Sequence, residues 1–274
     1  MKSFFTLVVA LCLLLQAQSA QASFNISKMN ETLELAAGSK ITKTLSVSNS
    51  SNEPIYISSS VMDWSMGQDG KSQFKPANSL PDSCASWIQL NPANFVVGPK
   101  QSVQVRYSID VPTNHDKESR AIIFFKSRPV PTKAKTGSMV LNISLRMGCK
   151  IRIRPKQAVP SVPKAEIVDI EALNKSDKVR VLVKNSGIVS LGAKGTIEAL
   201  DKEGRVVSKG KLAPENVVVF PELTREMRAV WPEPLPKGEY LFKVAIDYGA
   251  PQLIGGQLKA LVEEPTVTEV KPQQ

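Results

Sequence analysis

Polar and apolar residues alternate with period two along most of the chain, most regularly over residues 139–154. There Met139, Leu141, Ile143, Leu145, Met147, Cys149, Ile151 and Ile153 share one parity, and Asn142, Ser144, Arg146, Lys150, Arg152 and Arg154 the other. Period two is the β-strand pattern, because successive side chains leave opposite faces of a pleated backbone. At about 3.3 Å per residue this stretch would run roughly 50 Å, about three times the usual strand. A strand of that length, apolar on one side and basic on the other, is expected to be shared between two sheets or offered to something outside the fold.

Shorter β patterns precede it at 24–27, 32–35, 41–47, 55–64, 86–90, 95–97, 102–109 and 119–127, with a polar loop at 67–81. The run Ile122-Ile123-Phe124-Phe125 is apolar at both parities and predicts burial on both faces. A stiff linker with two prolines, Pro160 and Pro163, follows at 156–164. A second β series lies at 165–171, 178–184, 195–200, 205–208, 217–220, 224–231, 240–247 and 256–262. No amphipathic helix interrupts either series, and the tail at 263–274 is polar and expected to be disordered. The pattern therefore predicts an all-β protein of two immunoglobulin-like β-sandwich domains in series, at 23–155 and 165–262.

Residues 1–22 begin with one lysine, carry an apolar run from Phe4 to Leu15 and end in Ala20-Gln21-Ala22. This reads as a cleaved signal peptide, the run being too short to span a bilayer. An exported chain without stable membrane insertion is expected. The net charge is +10, but the basic residues are spread out and aromatics make up 6% of the chain, which argues against nucleic-acid binding.

The candidate chemistry is sparse. His115 is the only histidine and falls in the loop-like Pro112-Thr-Asn-His-Asp116, where a solvated side chain is expected. There is no metal-ligand spacing, phosphate loop or nucleophile elbow, so neither enzyme activity nor a cofactor is expected and binding remains. Cys84 and Cys149 would be oxidised to a disulfide in an exported protein; the alternative is two buried thiols that never meet. A long alternating strand also allows β-augmentation, in which a partner strand pairs with an open edge. Residues 139–154 suit either that or a central strand.

Several separated motifs carry a family resemblance. Leu141, Ile143 and Leu145 are followed by Lys150 on the opposite parity and by Arg154-Pro155. Asp116-Lys-Glu118-Ser119 precedes them and Asp247-Tyr-Gly249 follows. In this the chain resembles the PapD-like periplasmic pilus chaperones, a family of two immunoglobulin-like domains. The resemblance implies a periplasmic chaperone for pilin-like subunits, with Leu141, Ile143 and Leu145 as donor residues lent to the subunit and Lys150 holding its C-terminal carboxylate. It further implies an interdomain ion network of Glu118, Arg154 and Asp247. An outer-membrane usher would be a further partner. The chain departs from the pattern at the family's first-strand Arg, which would fall near Leu33; the nearest cations, Lys28 and Lys40, are out of register. The alternative function is an envelope scaffold of the same fold without a pilin client.

Overall fold

The computed structural model describes residues 24–129, 144–158 and 162–263. The leader, Leu141, Ile143, the middle of the linker and residues 264–274 lie outside the described residues. Ten strands come first: β1 (Phe24–Ile26), β2 (Asn30–Leu35), β3 (Lys40–Asn49), β4 (Ile55–Met66), β5 (Ser72–Lys75), β6 (Ile88–Asn91), β7 (Asn94–Val97), β8 (Ser102–Asp110), β9 (Ser119–Pro129) and β10 (Arg146–Pro155). Seven follow: β11 (Ala165–Ala172), β12 (Val179–Asn185), β13 (Leu191–Leu200), β14 (Val206–Val219), β15 (Thr224–Val230), β16 (Gly238–Asp247) and β17 (Ile254–Val262).

In the first series, β1, β3, β8 and β6 form one sheet and β2, β10, β9, β4 and β5 the other, with β7 beside β4. Alternation sends one parity of each sheet inward, so that Phe24, Leu45, Ile57, Tyr107, Phe125 and Ile151 become fully buried in one core. Each such side chain contributes about 1.5–3 kcal/mol by leaving water. Ile123 and Phe125 point into this core, while Ile122 and Phe124 are buried on the opposite face against Trp64 and Phe220. Both faces of β9 are therefore covered, as its continuous apolar run predicts.

The second series forms one path, β11-β12-β15-β14-β13-β16-β17, which curls until β11 and β17 meet. Its core contains Val181, Ile197, Leu212, Met227, Phe242 and Ile246. The chain is thus all-β, in two sandwich-like units.

The structure departs from the sequence pattern in several places. Within the described residues the long strand begins at Arg146. The polar loop at 67–81 contains β5, held as a hairpin partner by Trp64 opposite Phe74 and Met66 opposite Ser72. The separate patterns at 205–208 and 217–220 are the two ends of the single β14, 14 residues long. Its charged middle, with Lys209, Lys211 and Glu215, hid the continuity, and its register with β13 shifts between Ala193 and Gly195.

The expected disulfide is absent: Cys84 and Cys149 are both free, buried thiols. Burial pushes the Cys149 thiol up to about 12, with Glu31 adding to the shift, and burial likewise raises Cys84. Disulfide exchange proceeds through a thiolate, which these surroundings suppress.

His115 is likewise not the solvated side chain expected. It is 5% exposed, its ring lies edge-on to Trp87 at 5.1 Å, and its carbonyl accepts a 3.0 Å hydrogen bond from Gln157 Nε2. The buried Nε2 has no partner among the described residues. Burial lowers its pKa against the opposing pull of Asp116.

Two outcomes follow from these placements. In the folded protein neither thiol should react with an alkylating reagent, and after unfolding without reductant both Cys84 and Cys149 should be alkylated, as read by mass spectrometry. For His115 the folded state binds its proton less readily than the unfolded chain, whose value is about 6.5. Stability should therefore fall as pH drops below about 6.5 and level off below the folded pKa. His115→Gln should remove that component from denaturant melts recorded across pH.

Candidate functional site

The site is built around β10, whose residues face three ways. Cys149, Ile151 and Ile153 point inward and are fully buried, with Leu145 and Met147 packed against the same core. The opposite parity, Arg146, Lys150, Arg152 and Arg154, lies on the outer face of the sheet. An isolated row of four cations there would repel itself and gain little from water exclusion. Instead it stands over an aromatic floor.

The Arg146 guanidinium lies 4.1 Å from the Phe124 ring centre, the Lys150 ammonium 4.7 Å from the Trp64 ring, and the Arg152 guanidinium 5.8 Å from Phe220. Trp64 and Phe220 meet edge to face at 5.2 Å, so the floor joins β4 of the first unit to the segment after β14 in the second. Cations over ring faces gain about 0.5–2 kcal/mol each, more where water is excluded. Gly148 interrupts the basic row, and a Cβ there would come within 2.7 Å of Ile122 and 2.9 Å of Phe124. The missing side chain lets both residues of β9 lie against β10.

The third direction is the strand edge. β10 pairs antiparallel with β9 from Arg146 to Ile153, but its parallel pairing with β2 runs only from Lys150 to Pro155. Lys150 donates its backbone N–H to Met29 on the β2 side. Backbone groups in a strand alternate direction, so those of Arg146 and Gly148 point the same way. No strand among the described residues pairs with β10 there. The strand is central over Lys150–Pro155 and an edge over Arg146–Cys149.

Of the sequence-predicted residues, Glu118 and Arg154 come together. Arg154 Nε donates to Glu118 Oε2 at 3.2 Å, and Arg154 Nη2 donates to the Ser190 hydroxyl at 2.8 Å and to its carbonyl at 3.2 Å. The Ser190 backbone N–H donates to the same carboxylate oxygen at 2.8 Å, and the Glu118 N–H donates to the Ile188 carbonyl at 2.8 Å. Asp247 is not in this group. It is exposed at the end of β16, and its carboxylate accepts the Gly249 N–H at 3.0 Å. Ser190 and Ile188, from the loop before β13, complete the group instead.

Lys150 donates to the Ser72 hydroxyl at 2.7 Å, and burial lowers its pKa. It has no carboxylate partner among the described residues. Leu33 is not beside it: strand register sets Asn30 opposite Lys150 and Leu33 opposite Ile153, in the core. Lys28 pairs with Glu31 and Lys40 with Asp110.

Sequence reasoning missed Arg120. It is 2% exposed, ion-paired through Nη2 to Asp82 and stacked on Phe220 at 4.3 Å. Its Nε and Nη1, and Trp64 Nε1, are buried donors without partners among the described residues. Arg152, opposite Arg120 in the β9–β10 register, is lowered by burial, with Glu118 opposing and Arg154 and Arg120 reinforcing. The floor therefore combines rings and cations in a buried seam, where Arg120 and Trp64 are 2% and 3% exposed and Phe220 of the second unit covers them.

Residues 26–159 match the family described as pili and flagellar-assembly chaperone, PapD N-terminal domain. No curated protein matches the chain. Among solved structures it is similar to one from a chaperone–tip adhesin complex of CFA/I fimbriae biogenesis, at 16% identity over 89% of this chain and 100% of that one, with a TM-score of 0.48. It is also similar to the E. coli chaperone DraB, at 19% identity over 86% and 98% of the two chains and a TM-score of 0.43. A third is from the CsuC–CsuE chaperone–tip adhesion subunit complex of Acinetobacter baumannii, at 13% identity over 85% and 98%, with a TM-score of 0.47. Through residues 26–159, which hold the paired sheets, the open edge of β10 and its basic outer face, the chain belongs to the pili and flagellar-assembly chaperone family of the PapD N-terminal domain.

Proposed function

We propose that the protein, exported by cleavage of residues 1–22, is a periplasmic chaperone that captures immature pilin-like subunits by donor-strand complementation. The observation that carries this reading is the open edge of β10 over Arg146–Cys149, continuous with Leu145 and with the apolar parity of Leu141 and Ile143. A subunit strand pairing there would gain about 1 kcal/mol net per backbone hydrogen bond and about 1.5–3 per apolar side chain buried in its groove. These terms exceed the ordering cost only when several act together. Leu141, Ile143 and Leu145 are the donor residues, and Lys150 holds the subunit's carboxylate end. Lys150 is the single cation of this anchor, because Arg120 is buried and already paired with Asp82.

The Glu118–Arg154–Ser190 group is the interdomain tie, fixing the second unit (165–262) against the first (23–155) across the linker at 156–164. No step requires a cofactor or turnover. Released subunits would pass to an outer-membrane usher.

Capture is tested by co-export with a pilin-like subunit and affinity isolation of the complex. Ile143→Asp should abolish capture, and Lys150→Ala should weaken it at least tenfold. Isolation of intact complexes from both variants would refute donor-strand capture and favour the scaffold reading, as would recovery of cell-wall partners alone. For the tie, Arg154→Ala leaves a fully buried carboxylate without its cation, which should cost about 3 kcal/mol or more in a denaturant melt. A loss below about 0.5 kcal/mol would remove Arg154 from that role.

A further inference from the structure

The hairpin of β4 and β5 touches both the second unit and Lys150. Its turn is closed by the Gly67 N–H to the Lys71 carbonyl and the Gly70 N–H to the Gly67 carbonyl, both at 2.9 Å. At the tip, the Gln68 carbonyl accepts the Glu226 backbone N–H at 3.0 Å and Arg225 Nε at 3.2 Å. Arg225 is 6% exposed, and its Nη1 donates to the Val218 carbonyl of its own unit at 3.1 Å and to Met66 Sδ at 2.6 Å. Gly70 makes room for it: φ there is +84°, and a Cβ would stand 2.5 Å from Arg225 Nη2. Two residues beyond Gly70, the Ser72 hydroxyl accepts the Lys150 ammonium, while Trp64 on the paired strand lies beneath it.

We propose that Ser72 is the positioning residue for Lys150, and that Arg225 of the second unit sets Ser72 through the hairpin. Lys150 has a long, rotatable stem and no carboxylate partner among the described residues, so one hydroxyl and one ring fix where its ammonium points. Arg225 restrains the strand that carries the hydroxyl. The orientation of the two units is thereby coupled to the aim of the cation. The coupling uses residues separate from the Glu118–Arg154–Ser190 tie. Its use in subunit capture rests on the function proposed above; the coupling itself does not.

The test reads Lys150 directly in the full chain without a subunit. Acetic anhydride is the probe, and the pH profile of Lys150 acetylation is followed by mass spectrometry against exposed lysines of the same molecule. Ser72→Ala removes an acceptor that favours the charged amine, so Lys150 should label at least threefold faster at pH 8, with its profile displaced to lower pH. Ser72→Thr should restore the original profile. Arg225→Gln distinguishes the route: acting through the hairpin it should also speed labelling, whereas loss of a nearby positive charge alone would slow it. Unchanged or slower labelling in Arg225→Gln, with the denaturant midpoint retained, would overturn the coupling. An unchanged profile in Ser72→Ala would overturn the positioning role. Should Arg225→Gln fail to fold, Arg225→Lys, which keeps the positive charge but loses the guanidinium contacts to Gln68 and Val218, gives the same reading: faster Lys150 labelling supports the coupling and unchanged labelling overturns it. A normal labelling result with failed subunit capture would leave the coupling standing and remove the chaperone reading.

Discussion

The pairing of β10 is the constraint on which the rest depends. Over Lys150–Pro155 it is locked between β2 and β9, and over Arg146–Cys149 it is held by β9 alone. The locked half anchors Ile151 and Ile153 in the core and fixes the register that brings Arg154 to Glu118. The open half leaves backbone donors and acceptors directed outward beside apolar residues of inward parity. An exposed edge of this kind normally invites aggregation. Here it adjoins a basic row, which favours anionic partners and discourages self-association of a cationic chain.

The two faces of the same strand do different work. Over Cys149–Ile153 the inward parity is core packing, and its loss would be felt as ordinary cavity cost. The outward parity connects the two units, because Phe220 comes from the second unit while Trp64, Phe124, Arg120 and Arg152 come from the first. Burying cations over rings avoids the penalty of burying them bare, yet it leaves Arg120 and Trp64 with unfilled donors. The buried seam thereby ties the two units together through cation–ring contacts.

Much of this was legible in the sequence. Period-two alternation gave the strands, and its parity along 145–154 divided core from outer face correctly. Glu118 and Arg154 were found through motif order, far apart in sequence. Asp247 was not separable from Ser190 by the same route, since which loop reaches Arg154 depends on how the two units dock. Arg120 carries no motif, but it shares its parity with Ile122 and Phe124, and that parity is a second buried face. Gly148 breaking the basic row was a further visible sign of close packing there. An exported pair of cysteines suggests a disulfide, while Cys84 and Cys149 are placed in the core as separate thiols, which no spacing reveals.

The most direct measurement is amide hydrogen exchange on the chain alone and in complex with a pilin-like subunit, resolved along β10. The account predicts that Arg146 and Gly148, whose N–H groups point to the open edge, exchange readily in the free protein and become strongly protected in the complex. Met147 and Ile151, already bonded to β9, and Lys150, bonded to Met29, should change little. A complex that forms while Arg146 and Gly148 keep their free exchange rates would contradict strand pairing at this edge.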